Sequence, residues 1–323
     1  ITDDAGLLPP YLRFVRGVID SEDMPLNLSR EMLQNNPQVA QIRKAVTNKV
    51  LTELKKCAET DPERFAKIWE AFGPVIKEGI YEDMERRDQL FEIARFRSTK
   101  RDAVTLKQYV EGLKSNQTAI YYLTAEEASK AAASPQLEGY KARDVEVLLL
   151  TDPVDGFWVR TALGFEGKPF KSITQGAADL DQIPLVEDVA VGETDDAATG
   201  TLIALVKQTL GDQVKEVRKS ARLTTSAVCL VTDAGFDRSM ERLLSRQKTT
   251  GVSMSAPVLE INPRHPMIVA LAKVAKTKGV SPELEDAARL LLDQAYVLEG
   301  EPVGDPASFG KRMTEMMQKA FAA

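Results

Sequence analysis

The stretch VEVLLLTD, Val145 to Asp152, decides the fold class. Its middle is an unbroken apolar run. A strand with one wet face alternates apolar and polar residues, so a continuous run reads as a strand buried on both faces, the habit of parallel sheets. On its N-terminal side AIYYLT (119–124) reads as a second strand, and Thr124 and Glu127 stand at capping-box spacing before an alanine-rich helix. On its C-terminal side GFWVRTAL reads as a short helix and KPFKSIT as a third strand. The order β-α-β-α-β over residues 116–175 predicts a small αβα layer with parallel strands.

Flanking segments extend this to an α/β (α+β multidomain) chain. In residues 1–35, YLRFVRGVID alternates Leu12, Phe14 and Val18 and reads as a strand running into an acidic turn. Residues 36–115 read as a helical connector. Val39, Ile42, Val46, Val50, Leu51 and Leu54 recur at helical spacing, Asp61-Pro62 restarts the helix, and Gly73-Pro74 is expected to interrupt it. A short helix follows around Met84 to Ala94. Residues 176–200, acidic and rich in Gly and Ala, read as a linker. Residues 201–323 read as an α+β domain: a helix (201–211), strands at 213–223 and 226–232, a helix (236–247), a strand (257–261) and three helices, the last two entered through Ser281-Pro282 and Asp305-Pro306.

The first of those two helices is apolar over more than one stripe. Leu284, Ala288, Leu291, Leu292, Ala295 and Leu298 lie on one side, and Leu290, Tyr296 and Val297 elsewhere. The last helix carries Phe309, Met313, Met316, Met317, Ala320 and Phe321. A surface helix needs a single stripe. The pair is either a well-buried core or a bundle formed with a second chain.

Composition narrows the function. The 323 residues carry a net charge of −6, which argues against nucleic acid as partner, because phosphate binding needs clustered Lys and Arg. Two distant cysteines, Cys57 and Cys229, make a disulfide framework unexpected. No apolar run is long enough to span a membrane. The start at Ile1 suggests a fragment or processed chain.

The chemical motifs are sparse. There is no G-x-x-x-x-G-K-[ST] loop and no G-x-G-x-x-G turn. His265 is the lone histidine, followed by Pro266, and reads as a helix-entry residue; no metal site is expected. Cys57 reads as a core residue. The basic run Arg95, Arg97, Lys100, Arg101 reads as a solvated loop. One decapeptide, PLNLSREMLQ (25–34), is dense in polar groups. Spacing leaves two readings of its Arg30: a structural partner for Glu31 or Asp23, or a guanidinium that reaches an external anion, with Asn27 and Gln34 fixing the loop.

LPPYLRFVRGVIDSEDMPLNLSREMLQ (8–34) closely resembles the signature of the ninety-kilodalton heat-shock chaperones, the Hsp90 family. The similarity continues through IWEAFGPVIKEGIYED (68–83), TLKQYVEGLK (105–114), VEVLLLTDPVD, GKPFKSI (167–173), CLVTDAGFDRSMERLLSRQ (229–247), EINPRHPMI (260–268) and LLLDQAYVLEG (290–300). The resemblance implies the middle domain's end and the C-terminal dimerisation domain of an ATP-dependent, stress-responsive chaperone. ATP and Mg would bind a separate N-terminal domain, so the chain alone is expected to be inactive as an ATPase and to hold no cofactor. Arg30 matches the family's arginine that contacts the ATP γ-phosphate when domains dock, with Asn27 and Gln34 as loop neighbours.

Phe157 and Trp158 match an exposed aromatic site, and Phe236, Met240, Leu243 and Leu244 a cleft-facing helix. Both are expected to bind unfolded or partly folded client proteins; a stripe at helical spacing reads equally as core. The last two helices match the family's homodimer bundle. The ending MQKAFAA lacks the acidic tail of eukaryotic cytosolic members, so the chain resembles the bacterial HtpG type, expected in the cytoplasm, with an organellar matrix as the other option. A reading outside the family's chemistry is a stand-alone dimeric scaffold with no ATP cycle.

Overall fold

The computed structural model describes residues 6–20, 36–175, 180–186, 195–232, 237–246 and 254–321. In chain order the helices are α1 (Pro37–Thr60), α2 (Pro62–Glu82), α3 (Arg87–Ile93), α4 (Leu106–Glu111), α5 (Ala128–Ala132), α6 (Glu138–Lys141), α7 (Asp155–Thr161), α8 (Asp196–Leu210), α9 (Arg238–Arg246), α10 (Pro266–Lys278), α11 (Pro282–Leu298) and α12 (Pro306–Phe321). The strands are β1 (Arg97–Ser98), β2 (Ile120–Thr124), β3 (Leu148–Leu150), β4 (Phe170–Ser172), β5 (Glu216–Lys219), β6 (Val228–Val231) and β7 (Val258–Ile261). The mixed α+β architecture agrees with the sequence reading, and the chain divides into two compact units.

The first unit comprises Ile1–Arg97, Asp102–Glu111 and Asp152–Ala162. Asp61 caps α2 as expected, its carboxylate accepting from Arg64 N at 3.1 Å. The predicted break at Gly73-Pro74 does not occur: α2 runs through Pro74. An internal proline costs about 3 kcal/mol. The buried face resumes beyond it with Ile76 and Ile80, both fully buried, and each contributes roughly 1.5–3 kcal/mol.

The predicted strand at Tyr11 to Asp20 is also absent. Pro10–Leu12 form a 3-10 turn, and Tyr11 and Leu12 are both buried although adjacent, which strand alternation forbids. Tyr11 lies against Gly79, where a Cβ would sit 2.8 Å from its ring, and donates to Asp83 Oδ2 at 2.7 Å.

The second unit comprises Ser98–Arg101, Gly112–Thr151 and Leu163–Ala323. Its first sheet has the order β1-β3-β2-β4, with β2 parallel to both β3 and β4. Leu148, Leu149 and Leu150 are all buried, so the strand read from VEVLLLTD does have two dry faces. The Thr124–Glu127 capping box is not formed. Thr124 is the last residue of β2 and its hydroxyl turns to Asp237 and Ser239, while Glu127 precedes α5 without capping it.

The second sheet has the order β5-β7-β6, parallel on one side of β7 and antiparallel on the other. Its core joins α8, α10 and α11 through Leu202, Val206, Ile268, Leu284, Leu291 and Leu292. α8 begins at Asp196 rather than 201, because Asp195 caps it by accepting from Ala198 N at 3.0 Å. Within 176–200, Leu180 and Ile183 pack into the core of the first sheet with Tyr121 and Tyr140. His265 caps α10, its Nδ1 accepting from Met267 N at 3.2 Å. Cys57 is half-buried rather than a core residue. The basic run is not simply solvated: in the second unit Lys100 pairs with Asp144 at 2.5 Å and Arg101 with Glu146 at 2.6 Å.

Candidate functional site

Three surfaces carry the residues singled out from sequence. The first is α9 and the cleft beside its N-terminus. Asp237 is buried and accepts from Thr124 Oγ1 at 3.0 Å and Thr174 Oγ1 at 2.8 Å. These bonds hold the start of α9 against the first sheet. Arg238 follows, buried, with Nε 2.7 Å and Nη2 2.5 Å from the Glu301 carboxylate. Burial alone would lower the guanidinium's proton affinity, but Glu301 outweighs it and holds the charge more firmly than usual. A cleft of about 240 Å³ opens here, lined by Thr124, Gln136, Arg238, Arg242, Leu298 and Glu299 among others. It mixes apolar walls with charges of both signs.

Met240 and Leu244, one turn apart on α9, are buried in the chain's own fold, and Leu243 is half-buried. This corrects the idea of an open apolar stripe: two of its members are covered within the fold. Phe236 lies outside the described residues.

The second surface is the terminal helix pair. Leu284, Leu291, Leu292 and Ala295 belong to the second unit's own core, so they are not free for a partner. The other half of the predicted set is exposed. α12 has no buried residue, and Met313, Met316, Met317 and Phe321 all face solvent, Phe321 at 87% exposure. Leu298 and Val297 at the end of α11 are exposed as well. The apolar material split along the pair: α11 fills the core and α12 presents a bare stripe.

The third surface lies in the first unit. Trp158 is fully buried, contrary to the exposed position expected for it. Its Nε1 donates to Asp155 Oδ1 at 2.7 Å, and its ring packs on Phe91 and Phe96 at 5.6 Å. Asp155 in turn pairs at 3.0 Å with the buried Lys77, which also reaches Asp152 at 2.7 Å. Burial disfavours the Lys77 ammonium, and the two carboxylates more than compensate. Phe157 is the accessible member of the pair. It lies half-buried, 5.9 Å from Tyr81, which is exposed, as is Met84 three residues further along the chain.

Arg30, Asn27 and Gln34 lie outside the described residues. Sequence reasoning missed Gln136, Glu138 and Glu299. Glu138 Oε2 accepts from Thr224 N at 2.7 Å and Thr225 N at 2.8 Å, and its Oε1 from Thr225 Oγ1 at 2.8 Å. Burial would raise its proton affinity, but the bonds from Ser226, Thr225 and Thr224 prevail and hold the carboxyl below its ordinary range. The only sequence signal was the run Thr224-Thr225-Ser226, a loop able to aim successive N–H groups at an anion.

The whole chain, residues 1–323, matches the family model described as Hsp90 protein. It is 56% identical over 330 residues to "Chaperone protein HtpG" of Azorhizobium caulinodans and 54% over 326 residues to that of Rhodopseudomonas palustris strain BisB18. It is 52% identical over 328 residues to the same-named protein of Rhizobium meliloti. Each comparison covers 99% of this chain and 51% of the relative, so the chain spans about half the length of the curated relatives it matches.

Proposed function

Because this chain belongs to the Hsp90 family and, within it, to the bacterial HtpG chaperones, we propose that it is the client-handling and self-associating part of an ATP-driven chaperone cycle. The observation that supports this reading most is the bare apolar stripe of α12, Met313, Met316, Met317 and Phe321. Exposed large apolar residues on one face of a helix mark an interaction surface, and a second copy of the same helix is a symmetric way to cover it.

In this reading two copies pair through α12 and the end of α11, with Leu298 and Val297 at the rim. Unfolded proteins engage Phe157 with Tyr81 and Met84, and the apolar edge of the cleft at α9. Aromatic and Met side chains suit such a surface because they repack around varied partners. Arg30 approaches the γ-phosphate of ATP, bound with Mg on the family's nucleotide-binding domain, and Asn27 and Gln34 steady its loop. The planar guanidinium would stabilise charge that grows on the phosphate as the bond breaks.

An ATPase assay with the nucleotide-binding domain supplied tests the cycle. Arg30→Ala is expected to lower the rate by on the order of a hundredfold, the usual effect of removing one such contact. An unchanged rate would remove Arg30 from the mechanism. Suppression of aggregation of a heat-unfolded test protein, read with Phe157→Ser, tests the client surface separately.

A further inference from the structure

Gln136 and Glu299 make a contact that is complete on one side only. Gln136 is 1% exposed and sits in the 3-10 turn Pro135–Leu137 of the first sheet's layer. Its Nε2 donates to Leu230 O at 3.0 Å and to Glu299 Oε1 at 2.9 Å. Its Oε1 is buried with no hydrogen-bond partner. Turning the amide over does not help, because Oε1 would then face a carbonyl oxygen and a carboxylate. An orphaned buried acceptor costs roughly 1–3 kcal/mol, so a structure that keeps one invites a donor.

Arg238 Nη1 and Arg242 Nε, on residues lining the same cleft, are buried donors without a hydrogen-bond partner too, but Glu299 is the group already bonded to the Gln136 amide, and its carboxyl can become the missing donor. It is the C-cap of α11, half-buried, with its carboxyl in the cleft wall. The surroundings favour neutrality. Burial raises its pKa most and the nearby Glu301 adds to this, against Gln136, Arg238 and Arg242, leaving it at about 7. Arg238 is already engaged by Glu301. The remaining charged or titratable groups nearby are Lys130, Glu126 and Asp237 on the cleft walls and Cys229 on β6. Lys130 pairs with Glu127 at 2.8 Å and Asp237 with two threonines.

We propose that Glu299 and Gln136 form a clasp closed by a solvent proton: neutral Glu299 donates its hydroxyl to Gln136 Oε1 while its other oxygen keeps the bond from Gln136 Nε2. The acid–amide pair then has two hydrogen bonds in place of one. It fastens the C-terminal end of α11 to the turn at 135–137. Above neutral pH the carboxylate has no hydrogen to give, and the two segments are held by the single bond. The clasp is independent of the chaperone reading, since it rests on contacts inside the second unit alone.

The test is hydrogen exchange in the 323-residue chain, read at the amides of Gln136, Leu137 and residues 295–299 and corrected for the intrinsic pH effect, beside a carbon-detected titration of the Glu299 carboxyl. Protection of both segments is expected to be about tenfold higher at pH 6 than at pH 8, as follows for a group titrating near 7 when closed and near 4.5 when open. Glu299→Gln, always neutral and able to donate, should hold the protected level at every pH. Gln136→Met should make residues 135–137 indifferent to pH in a chain whose circular dichroism shows it folded. The clasp is overturned if Glu299 titrates in the ordinary carboxylate range, if Glu299→Gln keeps the pH dependence, or if residues 135–137 still respond to pH in Gln136→Met.

Discussion

Arg312 Nη2 lies 2.9 Å from Asp293 Oδ2, a charged contact that ties α12 to α11. Asp293 is buried, and α12 buries no residue of its own, so the contact matters more than a surface ion pair would. Arg312→Ala leaves a buried carboxylate without its cation and is expected to cost roughly 2 kcal/mol. Thermal unfolding measures the loss. Adding Asp293→Asn removes the stranded charge and should recover part of it; a double variant no better than the single one would show the pair to be idle.

The split between α11 and α12 separates core residues from an exposed apolar stripe. Met317→Glu and Phe321→Glu place charge on exposed positions and should leave monomer stability within about 0.5 kcal/mol. The same changes should weaken self-association at least tenfold, read by sedimentation velocity, since a charge at the centre of an apolar contact has nothing to pair with. Leu291→Ala should do the opposite: a loss of about 2–5 kcal/mol in stability, with association changed only as far as folding fails.

Phe157 and Trp158 are neighbours with different work. Trp158→Phe keeps one aromatic ring but removes the donor to Asp155 Oδ1 and leaves part of the indole's buried space unfilled, and is expected to cost at least about 1–3 kcal/mol. Phe157→Ser should cost less in stability, because Phe157 is half-buried where Trp158 is fully buried, and more in suppression of client aggregation. If Trp158→Phe instead spares stability and impairs client handling, the buried ring would be the functional one.

Most elements were legible because their signals are local. Asp61-Pro62, Ser281-Pro282 and Asp305-Pro306 each set a cap and a first helical residue, and each starts a helix where expected. Leu148 to Leu150 declared a doubly buried strand by having no polar partner face. The failures came where a distant residue decided the outcome. Pro74 stays in α2 because Ile76 and Ile80 are buried beyond it. Thr124 bonds to Asp237, more than a hundred residues away, and so cannot cap α5. Trp158 could not be told from an exposed aromatic until Phe91, Phe96 and Asp155 were seen around it. Arg30 was singled out through family resemblance; its spacing alone favoured a structural arginine.

Two carboxyls give the chain opposite responses to pH. Glu299 binds its proton more tightly when folded, at about 7 against the ordinary 4.5. The folded state therefore holds more protons between those values. Stability is full below about 4.5 and falls as pH rises through 7, by at most about 3 kcal/mol. Glu138, although burial raises its proton affinity, is held below its ordinary value by the hydrogen bonds from Ser226, Thr225 and Thr224. Its contribution is present above that ordinary value and is lost as pH falls through the depressed one. Urea unfolding of the chain across pH should therefore show a decline on both sides of a maximum in the weakly acidic range. Glu299→Gln should flatten the decline toward neutral pH and leave the acid limb. Glu138→Gln should lower stability at neutral pH, by about 1–3 kcal/mol for the lost charge-assisted bonds, and shrink the acid limb alone. A Glu299→Gln curve parallel to the parent from pH 5 to 8 would show that this carboxyl titrates alike in folded and unfolded chains.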